Sequence, residues 1–195
     1  MSKADFINIL RSHKTVFTFK EILLASQGTS PALLKRRMHY YIKIDQLYPI
    51  RRGIYAKDRN FDKYELGTKI YTPAYISFET VLGAAGITFQ YYGQIFIASY
   101  LSREIVCDDQ TYIFRTMKRS LLTNDAGIEH RENYSIATPE RAFLDILYLN
   151  KDYHFDNLSP LNWKAVYEIL TIYGGNKRMA RMVAMNHDAS KKNLL

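Results

Sequence analysis

Lys35, Arg36, His39 and Lys43 are spaced so that a helix stacks them along one side, and Arg51 and Arg52 follow in a short turn-forming stretch. Ammonium and guanidinium groups gathered this way do phosphate chemistry: they pair with the backbone oxygens of a polyanion. Other chemistry-bearing residues form weaker sets. The histidines His13, His39, His130, His154 and His187 are scattered and make no H-x-x-x-H or H-E-x-x-H spacing. There is no G-x-S-x-G, no Walker motif and no Cys–His nucleophile arrangement. Asp108 and Asp109 pair two carboxylates, but nothing nearby completes an oxygen-ligand set, so they read as a polar turn. Arg141 and Asp145 stand four apart with no nucleophile or base beside them, which reads as a structural ion pair. The expectation is no catalytic residue, no cofactor and no metal site.

The cations have a setting. Residues 1–60 carry twelve Lys and Arg against four Asp and Glu, whereas residues 61–195 carry fifteen of each. The whole net charge of +8 therefore belongs to the first segment. An excess confined to one small unit marks a polyanion-binding face more often than a solubility device. The break near residue 60 favours two domains, 1–60 and 61–195. With 47% hydrophobic and 24% charged residues the composition is that of a globular protein. The single cysteine, Cys107, excludes an internal disulfide and a Cys-rich zinc site and fits a reducing compartment. No stretch approaches the roughly 18–20 apolar residues of a membrane span, and the amino-terminal residues are interrupted by Asp5, Asn8 and Arg11. A soluble, cytoplasmic protein is expected.

The elements that must position the cations come next. Phe6, Ile7, Ile9 and Leu10 predict one face of a first helix, and Thr15-Val16-Phe17 an extended patch. Thr18-Phe19-Lys20-Glu21 is a capping box opening a second helix, which Gly28 stops. Ser30 and Pro31 then cap and begin a third. On it Leu34, Met38, Tyr41 and Ile42 share an apolar arc, with Lys35, Arg36, His39 and Lys43 opposite. A solvated basic face accounts for this helix equally well when it is taken alone. The stretch Leu47–Ala56, two short apolar strands around Arg51-Arg52-Gly53, decides between the readings: it is the wing of a winged helix.

Beyond residue 60 the spacing predicts a helix over 62–71 broken by Thr72-Pro73, and another beginning at Ser77, a candidate cap, and ending at Gly86. The run Gly83-Ala84-Ala85-Gly86 permits close packing but lacks the spacing and lysine of a phosphate loop, so no nucleotide role is read into it. Strands are predicted at 95–100, 104–107, 111–115 and 135–137. Thr138-Pro139-Glu140 opens an apolar, buried helix, and two further helices follow around Gly174-Gly175. Lys177, Arg178 and Arg181 form a second basic cluster, read as a solvated face, and Ser190–Asn193 as a frayed end. The fold expected is α+β: an amino-terminal winged helix-turn-helix, then a mixed α/β domain with a small four-stranded sheet and carboxy-terminal helices.

Three segments together, R-R-G-I-Y-A at 51–56, P-A-Y-I-S-F-E-T-V-L-G-A-A-G-I at 73–87 and A-T-P-E-R-A-F-L-D-I-L at 137–147, resemble the antitoxins of the bacterial type IV, abortive-infection (AbiE) toxin–antitoxin systems. The resemblance spans residues 5 to about 185. It implies a winged helix that binds double-stranded DNA at repeats in its own promoter and represses the operon. It also implies a second domain that opposes a nucleotidyltransferase-like toxin, with no stable complex required. The DNA contacts it implies fall on Ser30, Lys35, Arg36, His39, Lys43, Arg51, Arg52 and Tyr55. Tyr75, Ser77, Glu79, Arg141 and Asp145 occupy the family-like motifs of the second domain, in a structural role. Two other classes remain open at this stage: a transcription regulator with a ligand-sensing second domain, and an enzyme acting on nucleic acid or nucleotides.

Overall fold

The Thr18 hydroxyl accepts the Glu21 amide at 3.2 Å while the Glu21 carboxylate accepts the Thr18 amide at 2.8 Å, so the expected capping box forms and opens helix α1 (Phe19–Ala25). The structure, a computed structural model, describes residues 11–26, 28–90 and 92–192, so the helix expected around Phe6–Leu10 lies outside the described residues. Gly28, at φ 71°, turns the chain into α2 (Pro31–Lys43), whose first free amides are met by Ser30: its hydroxyl accepts the Leu33 N–H at 3.3 Å. Strands β1 (Val16–Thr18), β2 (Tyr48–Arg51) and β3 (Ile54–Ala56) form an antiparallel sheet in the order β1-β3-β2. The Arg51↔Ile54 pairing leaves Arg52-Gly53 as a two-residue turn, with Gly53 at φ 80°. Phe17, Ile22, Leu34, Met38 and Leu47 are buried together beneath these elements, with Tyr41, Ile42 and Tyr55 packed partly buried against them.

The remaining residues build a larger layer. Helix α3 (Lys63–Ile70) starts at Asp62, whose carboxylate accepts the Tyr64 and Glu65 amides. Strands β4 (Tyr75–Ile76), β5 (Ile95–Ser99), β6 (Arg103–Cys107), β7 (Gln110–Thr116), β8 (Ile128–His130) and β9 (Ser135–Ala137) form one mixed sheet ordered β6-β7-β5-β4-β9-β8. The sheet is six-stranded, not four-stranded. The two additional strands, β4 and β8, are two and three residues long, too short to carry a period of two in sequence. They exist because β4 is gripped antiparallel by β5 and parallel by β9, and β8 antiparallel by β9. Asp108 and Asp109 turn β6 into β7 with φ of 50° and 60°, the left-handed pair that a two-residue hairpin needs.

Helix α4 (Glu79–Ala84) departs from expectation at its start. The residue before it is Phe78, at φ 56° and without a side-chain cap, while the Ser77 hydroxyl donates instead to Asp145. After the short α5 (Arg119–Leu122), helix α6 (Pro139–Leu149) begins as the Thr138-Pro139 signal predicts, the Thr138 hydroxyl accepting the Arg141 amide. Its residues Arg141 to Leu147 are all buried. Then come α7 (Trp163–Leu170), a 3-10 turn (Thr171–Tyr173), and α8 (Lys177–Lys192), which includes Ser190–Lys192 of the end expected to fray; Asn193 lies outside the described residues.

The first sixty residues share their core with the rest. Val16 and Ile54 belong to the same buried apolar cluster as Leu66, Ile97, Tyr112 and Phe143. A polar seam runs beside that contact: the Thr15 amide and hydroxyl both donate to Glu65, at 2.8 and 2.7 Å, and Lys69 reaches the Val16 carbonyl. Lys69 also pairs with Glu65 at 2.9 Å and with Glu21 at 3.3 Å.

Candidate nucleic-acid interface

Burying Leu34 and Met38 fixes the rotation of α2, and the opposite face is left to water. Lys35, Arg36, His39 and Lys43 are all exposed there. Helix α2 contains no acidic residue. The Lys35 ammonium lies 5.8 Å from the centroid of the Phe19 ring, and the Phe19 amide donates to the Gly53 carbonyl at 2.8 Å. Phe19 thus stands between the cation row of α2 and the Arg52-Gly53 turn, where Arg52 is exposed. Glu21, two residues beyond Phe19, is engaged elsewhere. Burial pushes its carboxyl up, but the Thr18 amide, Lys14 and Lys69 more than offset this and hold it at about 2.

The other three expected residues are placed differently. The Ser30 hydroxyl is occupied as the α2 cap, and Tyr55 packs against the small apolar core. Arg51 is half-buried, and its Nη1 is buried without a hydrogen-bond partner. The sequence reading also passes over exposed Arg59, whose guanidinium lies 5.1 Å from the Tyr48 ring centroid. Nothing in spacing marks it, because Arg59 follows β3 and meets Tyr48 only through the β2–β3 pairing.

In the second part of the chain the structure gathers a buried polar network. Arg141 Nε donates to Asp145 at 3.1 Å with neither side chain exposed. The Tyr75, Ser77 and Tyr173 hydroxyls donate to the same carboxylate at 3.0, 2.8 and 2.7 Å. Arg141 also donates to the carbonyls of Leu121 and Ala126, each at 2.8 Å, and to the Tyr75 hydroxyl at 3.0 Å. Burial raises the Asp145 carboxyl above its ordinary range, and the Arg141 charge and the hydrogen bonds from Tyr173, Ser77 and Tyr75 oppose that rise. Burial raises the Tyr75 and Tyr173 phenols too, which keeps them protonated as donors. Glu79 makes a separate pair with Arg115 at 2.8 Å, and the Arg115 guanidinium sits between Phe78 and Phe96, 5.0 and 4.6 Å from the ring centroids. Of this set Tyr173 carried no signal in the sequence.

The carboxy-terminal basic cluster divides. Arg178 donates to the carbonyls of Tyr148 and Asn150, at 2.9 and 3.2 Å, closing the end of α6, whereas Lys177 and Arg181 are exposed. Among the described residues no group of three or more His, Cys, Asp and Glu is placed to hold a metal ion, and no helix is long and apolar enough to cross a membrane.

No protein-family model and no curated protein matches the chain. Among solved structures it is similar to the RV2827C protein from Mycobacterium tuberculosis, with a TM-score of 0.55 and 11% identity over 95% of this chain and 75% of that one. At that identity the likeness speaks for the fold, which is mixed α+β.

Proposed function

We propose that the first sixty residues are a winged helix that binds double-stranded DNA, with α2 as the helix entering the major groove and the Arg52-Gly53 turn as the tip of the wing. The observation that carries this reading is the double engagement of Phe19, whose ring lies beneath Lys35 and whose amide holds the Gly53 carbonyl. It sets the two cationic elements side by side, as a groove-and-backbone contact requires. Lys35, Arg36, His39, Lys43 and Arg52 are the contacting residues, with Arg51 beside them. Ser30, exposed at the start of α2, supports the surface as its cap, and Tyr55 supports it from the small core.

In this reading the protein is a cytoplasmic antitoxin of the AbiE type that represses its own promoter and opposes a nucleotidyltransferase-like toxin encoded beside it. The segregated charge supports the first activity. The three sequence segments support the second. Gel-shift titration of the DNA upstream of its own gene, with the wild type and with a Lys35→Glu, Arg36→Glu, Arg52→Glu triple variant, tests the DNA half. Full affinity in the folded triple variant rejects this surface. Co-expression with the neighbouring frame tests the antitoxin half: that frame alone arrests growth and this chain restores it.

A further inference from the structure

A cleft of about 510 Å³ opens between α3, α4 and the start of β5, a size typical of small-molecule sites. Thr88 lines it, is only 6% exposed, and has a hydroxyl with no hydrogen-bond partner. A buried hydroxyl without a partner is a cost to the folded chain that a bound ligand removes. Glu79, also in the wall, is 6% exposed and fixed by Arg115. Its carboxylate has acceptor capacity beyond the two contacts Arg115 makes, so it can take ligand N–H groups. Phe89, 71% exposed, and Tyr92 bring aromatic faces, and Lys63 brings an ammonium. Gly83 presents helix surface with no side chain, so a flat group can come close.

We infer that this cleft binds a mononucleotide. The Thr88 hydroxyl and Glu79 carboxylate take the polar edge of the base, Phe89 and Tyr92 take its face, and Lys63 takes the phosphate. The glycine run of 83–86 acts here as open space and not as a phosphate loop. This site is independent of the DNA surface proposed for α2, and it gives the second half of the chain something to sense.

The test is calorimetric titration of the full chain with each of the four ribonucleoside monophosphates, with the nucleosides and inorganic phosphate as separate arms. The expected result is micromolar binding of a nucleotide, at least about tenfold weaker binding of its nucleoside, and none of phosphate alone. Two variants locate the site. A Cβ at Gly83 has its nearest neighbour, Thr88 Oγ1, at 3.9 Å, so Gly83→Leu folds, keeps or raises the unfolding midpoint, and abolishes binding by filling the cleft. Thr88→Val keeps or raises the midpoint, since the hydroxyl it removes has no protein partner, yet weakens the nucleotide by about tenfold. No binding at millimolar nucleotide, equal binding of phosphate alone, or unchanged binding in both variants overturns the inference.

Discussion

Glu21 and Lys69 meet at 3.3 Å across the boundary between the cation-rich first sixty residues and the neutral remainder. Glu21 is the capping-box acid of α1, and Lys69 belongs to the last turn of α3. One carboxylate therefore fixes where α1 begins and ties it to the helix that leads into the six-stranded sheet. Lys69 extends the tie to buried Glu65 and to the Val16 carbonyl, so α1 and β1 are both joined to α3.

That position makes acid stability depend on Glu21. Its carboxyl is held at about 2 against an ordinary 4.5, so the unfolded chain binds the proton more readily. The stabilisation is complete above about 4.5 and is lost as the pH falls from there through about 2. Glu21→Gln lowers stability at neutral pH by about 1 kcal/mol or less, because the pair is partly screened by water, and flattens the profile in that window. Urea unfolding followed by circular dichroism from pH 7 downward reads both effects.

Asp145 is the stronger test of the second half. Replacing it with alanine leaves Arg141 charged and buried and strands three hydroxyl donors. The expected loss is about 3–5 kcal/mol, the cost of breaking one side of a buried pair. Chemical denaturation measures it, and a loss below about 1 kcal/mol contradicts the network as drawn.

Gly127 faces the same arginine. It sits at φ 72°, and a Cβ there comes within 2.8 Å of both Arg141 Cβ and Ile169 Cδ1. Gly127→Ala is expected to cost about 1–3 kcal/mol from overcrowding, with backbone strain added to it. Thermal unfolding of the single variant reports the sum.

For the proposed DNA surface, the slope of log affinity against log salt concentration is expected near −4 to −5 if about five phosphates are contacted. Lys43→Ala reduces that slope by about one and weakens all sequences alike if Lys43 meets phosphate. Arg52→Ala costs about 1–3 kcal/mol and relaxes base preference if Arg52 reads a base edge. Fluorescence anisotropy over a range of salt separates the two cases.

Local signals were readable from the residues alone. The Thr18–Glu21 box, the Ser30-Pro31 start and the Thr138-Pro139 start each need only a side chain and an amide two or three residues away, and each forms. Ser77 looks like a helix start for the same reason, but its hydroxyl goes to Asp145, 68 residues further along. Strands β5, β6 and β7 announce themselves by β-branched and aromatic content over five to seven residues; β4 and β8 are two and three residues long, and their neighbours make them strands. Within the candidate interface, the exposed row on α2 follows from its apolar arc, whereas the withdrawal of Tyr55 into the core and the arrival of Arg59 at Tyr48 follow from hairpin pairing.

The amino-acid order by itself settled where charge accumulates, where most helices begin, and which side of α2 is apolar, because these depend on composition and on contacts within one turn. Only the folded chain decided that Phe19 joins α2 to the Arg52-Gly53 turn, that Tyr173 completes the Asp145 cluster, and that Thr88 is left facing a cleft. Each of these depends on backbone segments far apart in sequence being brought together. Partners chosen by packing over such separations leave no period or spacing for a reader of the sequence to find.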